Sequence, residues 1–363
     1  MSGSIKKLGR TGFMAMDRRI FIAGTSGVLL SAAACSHMPE VSKEDDIKHR
    51  MIKSNGINMR IAEMGEGPLV LLIHGWPESW YSWRHQIRAL ADAGYHVVAP
   101  DMRGYGGTDK PKEQDAYNIE QLSADVVGVV DAMGEEQTYL VGHDWGAAVC
   151  WDVVRRYPNR FKALVNMSVP LGARGSAPTT QVLKSIYGDN FFYMLYFQQP
   201  GVAEVEFDAD PRGILSRLYA SPDTPRAEPE LIDPKMSAGG WIPRLGEPLE
   251  QPAWLSEDDL DYFVNEFENN GFVGGINYYR NLDNNWALTE NIGDSDITMP
   301  VMFLAGEEDT VIRGATADEL TASIGRWCKD LRGVTLLPGI GHWLQQEDPE
   351  AVNAALLSFL RSV

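Results

Sequence analysis

The chain has 363 residues, is 44% hydrophobic and carries a formal net charge of −18. That length suits two ordinary domains or one large α/β domain with an insertion. The acidic balance argues against a nucleic-acid partner, and no internal repeat or low-complexity tract is present.

The first 35 residues read as an export signal rather than as fold. Lys6, Lys7, Arg10, Arg18 and Arg19 against Asp17 give residues 1–34 a net charge of +4, leaving −22 for the remainder. A moderately apolar run, Ile20 to Leu30, follows the arginine pair and leads into Ser31-Ala32-Ala33-Ala34-Cys35. A basic start, an apolar centre and an Ala-x-Ala site make a secretory signal. The run is too short and too rich in glycine for a spanning helix, which needs about 20 apolar residues. Arg18-Arg19-Ile20-Phe21-Ile22 resembles a twin-arginine export signal. Cys35 stands as in a bacterial lipoprotein cleavage site, with Ala32 where that motif usually has leucine, and is the lipidation candidate. The expectation is an exported protein, periplasmic or lipid-anchored to an envelope membrane through Cys35. In the body only Cys150 and Cys328 remain, too few for a disulfide framework. The seven histidines show no metal-ligand spacing, and neither metal nor cofactor is expected.

Residues 36–48 are a polar tether. Arg50–Lys53 and Ile57–Ala62 flank Ser54-Asn55-Gly56 and predict a hairpin with an Asn-Gly turn. Pro68–Ile73 is a continuous apolar run, as in a strand buried on both faces, and it empties into His74-Gly75-Trp76-Pro77. A helix from Trp80 to Ala93, a strand from His96 to Asp101 and a helix from Tyr117 to Met133 come next. An apolar strand at Thr138–Val141, a helix to about Arg156 and a strand at Phe161–Met167 continue the rhythm of a doubly wound α/β sheet.

From Leu171 to Ala287 that rhythm stops. Candidate helices run over Val182–Phe197, Glu204–Ala220 and Ser256–Asn269, with a proline-rich loop from Pro222 to Pro248. A loop that long is unusual inside one compact domain, so an inserted helical cap is expected. A strand at Pro300–Gly306, a helix near Ala315–Trp327, a strand at Gly333–Leu337 and a helix at Pro349–Leu360 close the chain. The expected organisation is signal 1–35, linker 36–48, core 49–170, cap 171–287 and the rest of the core 288–363.

Gly142-His143-Asp144-Trp145-Gly146 joins the Thr138–Val141 strand to its helix. Small residues two before and two after a central nucleophile, between strand and helix, are the context of a nucleophile elbow. Here the nucleophile is aspartate, a residue type ionised at neutral pH because its ordinary pKa is about 3.9. Two more candidates sit at carboxyl ends of strands, where functional groups of parallel sheets gather. Asp309 follows Gly306-Glu307-Glu308, and His342 lies in Gly339-Ile340-Gly341-His342-Trp343. The order nucleophile, acid, histidine is that of α/β-hydrolases.

From about residue 48 onward the chain resembles the soluble epoxide hydrolases of the α/β-hydrolase fold. The resemblance rests on the sheet motifs and on two cap segments, Phe192–Gly201 and Asn277-Tyr278-Tyr279-Arg280-Asn281. It implies that Tyr193 and Tyr279 hold the epoxide oxygen, while Tyr196 and Tyr278 pack. It further implies that Asp144 attacks an epoxide carbon and that His342, oriented by Asp309, activates the water that cleaves the ester. The backbone N–H groups of Trp76 and Trp145 would receive the oxyanion. His74, Gly75, Pro77 and His143 would support that loop and the elbow. The implied substrate is a small hydrophobic epoxide, with water as co-substrate. Two rivals stay open on sequence. A haloalkane dehalogenase shares the aspartate and histidine but has no use for a tyrosine pair. A non-catalytic lipoprotein of this fold has no use for all five groups.

Overall fold

The structure, a computed structural model, describes residues 46–292, 295–312 and 314–363; the signal segment, Cys35 and most of the tether lie outside the described residues. Strands β1 (Lys48–Ser54) and β2 (Ile57–Met64) form the expected hairpin. Asn55 and Gly56 both take positive φ, 45° and 80°, the geometry for which Asn-Gly is favoured in two-residue turns. Strands β3 (Leu69–Ile73), β4 (His96–Pro100), β5 (Thr138–His143), β6 (Phe161–Met167), β7 (Ile297–Gly306) and β8 (Cys328–Leu337) complete one eight-stranded sheet. Its order is β1-β2-β4-β3-β5-β6-β7-β8, and every pair from β4 to β8 is parallel. All five residues of β3 are buried, which is what an uninterrupted apolar run achieves when both faces are covered. Each such aliphatic side chain contributes roughly 1.5–3 kcal/mol by leaving water. The α/β-hydrolase fold expected from the sequence is thereby borne out.

Helices α1 (Arg84–Asp92), α2 (Ile119–Ala132) and α3 (Trp145–Arg156) follow β3, β4 and β5. The expected Trp80–Ala93 helix begins as a 3-10 turn at Trp80–Trp83 before α1. Asn118 caps α2 by accepting from the N–H groups of Glu120 and Gln121.

Between β6 and β7 the described chain is helical: α4 (Thr179–Tyr187), α5 (Tyr193–Tyr196), α6 (Ala203–Ala209), α7 (Pro211–Tyr219), α8 (Glu257–Asn270), α9 (Val273–Arg280) and α10 (Leu282–Leu288). Two expected helices are each broken in two. Val182–Phe197 splits at Gly188, whose φ of 58° ends α4. Glu204–Ala220 splits at Asp210-Pro211, where proline supplies no N–H and Asp210 caps the new helix. Ser256 opens α8 with a capping box to Asp259, as its sequence suggests. The proline-rich stretch holds only two 3-10 turns, Met236–Ala238 and Ile242–Arg244. After β7 come α11 (Ala317–Ile324), the unforeseen α12 (Leu344–Glu347) and α13 (Pro349–Leu360).

The helical segment is tied to the sheet's loops by hydrogen bonds. The Tyr219 hydroxyl donates to the Pro77 carbonyl at 2.5 Å, and Tyr278 to the Arg103 carbonyl at 2.9 Å. The Trp343 indole donates to the Leu218 carbonyl at 3.0 Å.

Candidate active site

Asp144 stands between the end of β5 and the start of α3 with φ 51° and ψ −119°. A non-glycine residue there stores about 1–3 kcal/mol of backbone strain, held by its surroundings. Close packing enforces the turn. A Cβ on Gly146 would lie 2.0 Å from the Ile73 carbonyl oxygen, and one on Gly75 would lie 2.4 Å from the Asp144 carboxylate. Only glycine at both positions lets the β3 loop meet the elbow. The Trp76 N–H then donates to Asp144 Oδ1 at 2.8 Å. The Trp145 N–H belongs to the first turn of α3, whose N–H groups have no intrahelical acceptors and carry the positive end of the helix dipole.

His342 lies beyond β8, with Nε2 3.6 Å from Asp144 Oδ2. Its Nδ1 donates to Asp309, 3.0 Å from each carboxylate oxygen. Asp309 is fully buried, whereas the neighbouring Glu307 and Glu308 are exposed. Burial pushes the Asp309 carboxyl up, but the His342 ring, with hydrogen bonds from its surroundings, holds it below the ordinary value. Burial would likewise depress the His342 imidazole. Asp309 and Asp144 together reverse that and raise it well above its ordinary value, so the two carboxylates favour the protonated ring.

The two cap tyrosines converge on the same place. Tyr193 and Tyr279 cross edge to face with ring centres 5.7 Å apart. Tyr279 packs edge-on against Trp145 and Trp76, at 5.1 and 5.7 Å. Desolvation, and then the charge of Asp144 among other groups, raises both hydroxyl pKa values well above 10. Both tyrosines are therefore protonated donors. Tyr196 and Tyr278 are engaged elsewhere, donating to Glu206 and to the Arg103 carbonyl.

The supporting residues join loops to one another. His74 accepts from the Met102 N–H at Nε2 and donates from Nδ1 to the Gly75 carbonyl, 2.9 and 2.8 Å. Burial lowers its pKa, which suits the neutral tautomer these bonds require. Pro77 extends the β3 loop and offers its carbonyl to Tyr219. His143 lies behind the elbow, Nδ1 facing Glu78 at 2.9 Å and Nε2 facing the His342 carbonyl at 2.8 Å.

Four contributors escaped the sequence reading. Glu78, wholly buried, binds His143, accepts from the Gly75 N–H at 3.0 Å and takes a bond from Gln345 at 2.9 Å. Burial opposes its charge, yet His143 and the other donors hold its pKa at about 2. Glu347 of α12 accepts from the N–H groups of Gly341 and Trp343, at 2.9 and 2.8 Å, and so grips the chain on both sides of His342. Ser168 donates to the His342 carbonyl at 3.1 Å. A lone acid inside the apolar stretch around Trp76 and Trp80 was the one available signal for Glu78; nothing comparable marks Glu347, Ser168 or Gln345.

Residues 68–349 match the family model described as the alpha/beta hydrolase fold. Epoxide hydrolase A of Mycobacterium tuberculosis is 44% identical over 86% of this chain and 96% of its own length. Epoxide hydrolase 2 of Siraitia grosvenorii is 39% identical over 87% of this chain and 99% of its own length. Among solved structures, epoxide hydrolase A from Mycobacterium thermoresistibile superposes with a TM-score of 0.80 at 44% identity, covering 87% of this chain and 98% of that one. An epoxide hydrolase from an endophytic Streptomyces gives a TM-score of 0.80 at 38% identity, over 88% and 96%. An aspartate elbow, a histidine relay and two protonated tyrosines thus sit in a chain that belongs to the epoxide hydrolase family of the α/β-hydrolase fold.

Proposed function

We propose that the chain converts a hydrophobic epoxide to a vicinal diol through an ester on Asp144. The observation that carries this reading is the placing of one carboxylate against the Trp76 N–H and His342 Nε2, with the Tyr193–Tyr279 pair close enough to feel its charge. A carboxylate nucleophile needs no general base for attack on an epoxide carbon. As the carbon–oxygen bond breaks, a tyrosine hydroxyl supplies a proton to the alkoxide; such acid catalysis is worth about 10²–10⁴-fold. Alkylation removes the charge of Asp144, and with it one of the two carboxylates that raise the His342 pKa. The ring's proton then passes more readily to the tyrosinate that ring opening leaves, and the neutral ring becomes the base that draws a proton from water. Water attacks the ester carbonyl, and the Trp76 and Trp145 N–H groups receive the oxyanion. As the intermediate collapses, His342 gives the water's proton to the departing alkoxide and takes the remaining proton from the Asp144 carboxyl, so the diol leaves with carboxylate and ring restored. Helices α4 to α10 serve as the lid that brings the tyrosines to the nucleophile. The aromatic residues around them favour an apolar substrate.

A single turnover in ¹⁸O-labelled water tests the ester. Label is expected in the Asp144 carboxylate and not in the first diol. Label appearing directly in that diol would exclude the intermediate.

We further propose that residues 1–35 direct export and that Cys35 carries a lipid anchor, a reading supported by the basic start, the apolar run and the Ala-x-Ala-Cys sequence. Fractionation of cells making the full chain is expected to find it in the envelope membrane, and Cys35→Ala to release it. A full chain that stays cytoplasmic overturns export; one released from the membrane without Cys35→Ala overturns lipidation.

A further inference from the structure

Trp241 belongs to the proline-rich loop, which no sequence motif singled out. Its indole lies parallel to the Tyr193 ring, centres 5.0 Å apart and planes 19° apart. It also lies parallel to Trp76, centres 6.0 Å apart and planes 7° apart. One side chain therefore abuts both a ring-opening tyrosine and the loop that carries an oxyanion N–H. Trp241 makes no ring contact with Tyr279 itself and reaches it only through Tyr193, Trp76 and Phe197, which with Trp145 surround the Tyr279 ring.

The loop reaches this position because Glu206 of α6 holds it. Glu206 Oε2 accepts from the Trp241 N–H at 2.9 Å, and Oε1 from the Ile242 N–H at 2.9 Å. Oε2 also accepts from the Tyr196 hydroxyl at 2.8 Å. Gly240 lets the carboxylate approach, for a Cβ there would lie 2.1 Å from Glu206 Oε1. Three donors converging on one carboxylate fix a short segment against its own chain entropy. Tyr196 is on α5, the same single turn of helix that carries Tyr193. Glu206 thus links the tyrosine's helix to the loop whose indole covers the tyrosine's ring.

We propose that Trp241, locked by Glu206, is a positioning residue that sets the Tyr193 hydroxyl for ring opening and meets Tyr279 only through intervening rings. The inference rests on the ring-opening role given above to Tyr193. A flat, rigid stack on one face of a phenol restricts both its rotation and the direction of its hydroxyl, and misplacement by 1 Å can cost about 10²-fold in rate. Ester hydrolysis draws on Trp76 only through its backbone N–H, in a loop held independently by Glu78 at Gly75 and by Tyr219 at Pro77, so the effect of Trp241 falls on alkylation.

Rapid-quench single turnovers with styrene oxide test this, following alkylation and ester hydrolysis separately. Trp241→Ala is expected to slow alkylation about tenfold with hydrolysis unchanged, and Trp241→Phe, which keeps a ring for the stack, to restore most of the rate. In a Tyr193→Phe background Trp241→Ala is expected to add no further loss; in a Tyr279→Phe background the full tenfold loss persists. Glu206→Gln, which sets an NH2 donor against one of the two backbone N–H groups and leaves a single acceptor oxygen, is expected to reproduce the pattern and covers the case of a Trp241→Ala chain that does not fold. Tyr193→Phe slowing alkylation while Trp241→Ala slows it tenfold again would overturn the coupling alone. Tyr193→Phe leaving alkylation at its full rate would instead remove the ring-opening reading on which the inference stands. Equal slowing of both chemical steps would reduce Trp241 to a packing residue.

Discussion

His342→Gln is expected to stop the enzyme with its substrate attached. Asp144 keeps its Trp76 N–H and the tyrosines keep their protons, so the first chemical step survives. The step that needs a base does not. Steady-state turnover falls by about 10³-fold or more, in line with loss of a general base from a working set. The accompanying signature is a protein whose mass has risen by one epoxide, the addition mapping to the peptide that contains Asp144. Intact-protein and peptide mass spectrometry read it directly. Sustained turnover without an accumulating adduct would remove His342 from the second step.

Asp144→Asn is expected to be the most damaging single change in turnover, by about 10⁴-fold or more, because it removes the group that forms the covalent bond. Asparagine tolerates the positive φ of the elbow better than most residues, so the fold is retained. The substitution also deletes one of the two carboxylates facing His342. The folded-state imidazole is then raised by Asp309 alone, and its titration moves to lower pH. The sign follows from the wild-type protein: a neighbouring anion favours the protonated ring, so losing it makes the proton easier to lose. An imidazole NMR titration that places His342 at the same pH in both proteins would show that Asp144 does not set its charge.

The parts of the molecule that sequence made visible are those decided locally. β3 shows as an unbroken apolar run, the hairpin as Asn55-Gly56, and the elbow as glycines spaced around Asp144. Asp309 is different. Composition gives no reason to prefer it to Glu307 or Glu308, and only the family resemblance did so; the physical distinction is its complete burial against His342. The two broken cap helices carried their own signals, Gly188 and Pro211, which a purely periodic reading overran. Helix α9 was hidden for the opposite reason. Gly274 and Gly275 weaken its local propensity, yet a Cβ on Gly274 would lie 2.2 Å from the Gly104 carbonyl oxygen, so tertiary contact requires what local preference disfavours. Glu78, Glu347 and Trp241 act through partners far away in the chain, at His143, around His342 and at Tyr193. Periodicity contains nothing about such pairs.

The strands that bracket the helical segment are neighbours: β6 pairs directly with β7, Leu164 facing Val301 and Met167 facing Leu304. Everything from Ser168 to Asp296 therefore leaves the sheet and returns one strand spacing away. The cost of closing such an excursion grows only as the logarithm of its length, about 0.6 kcal/mol for each doubling. Changes of length in that segment that keep its ties to the sheet's loops at Pro77, Arg103 and Trp343 are expected to leave the register of the parallel strands intact, and with it the separation of Asp144, Asp309 and His342. Substrate range can thus diverge through the excursion while Asp144, Asp309 and His342 stay with the sheet, so long as the excursion keeps Tyr193 on α5 and Tyr279 on α9.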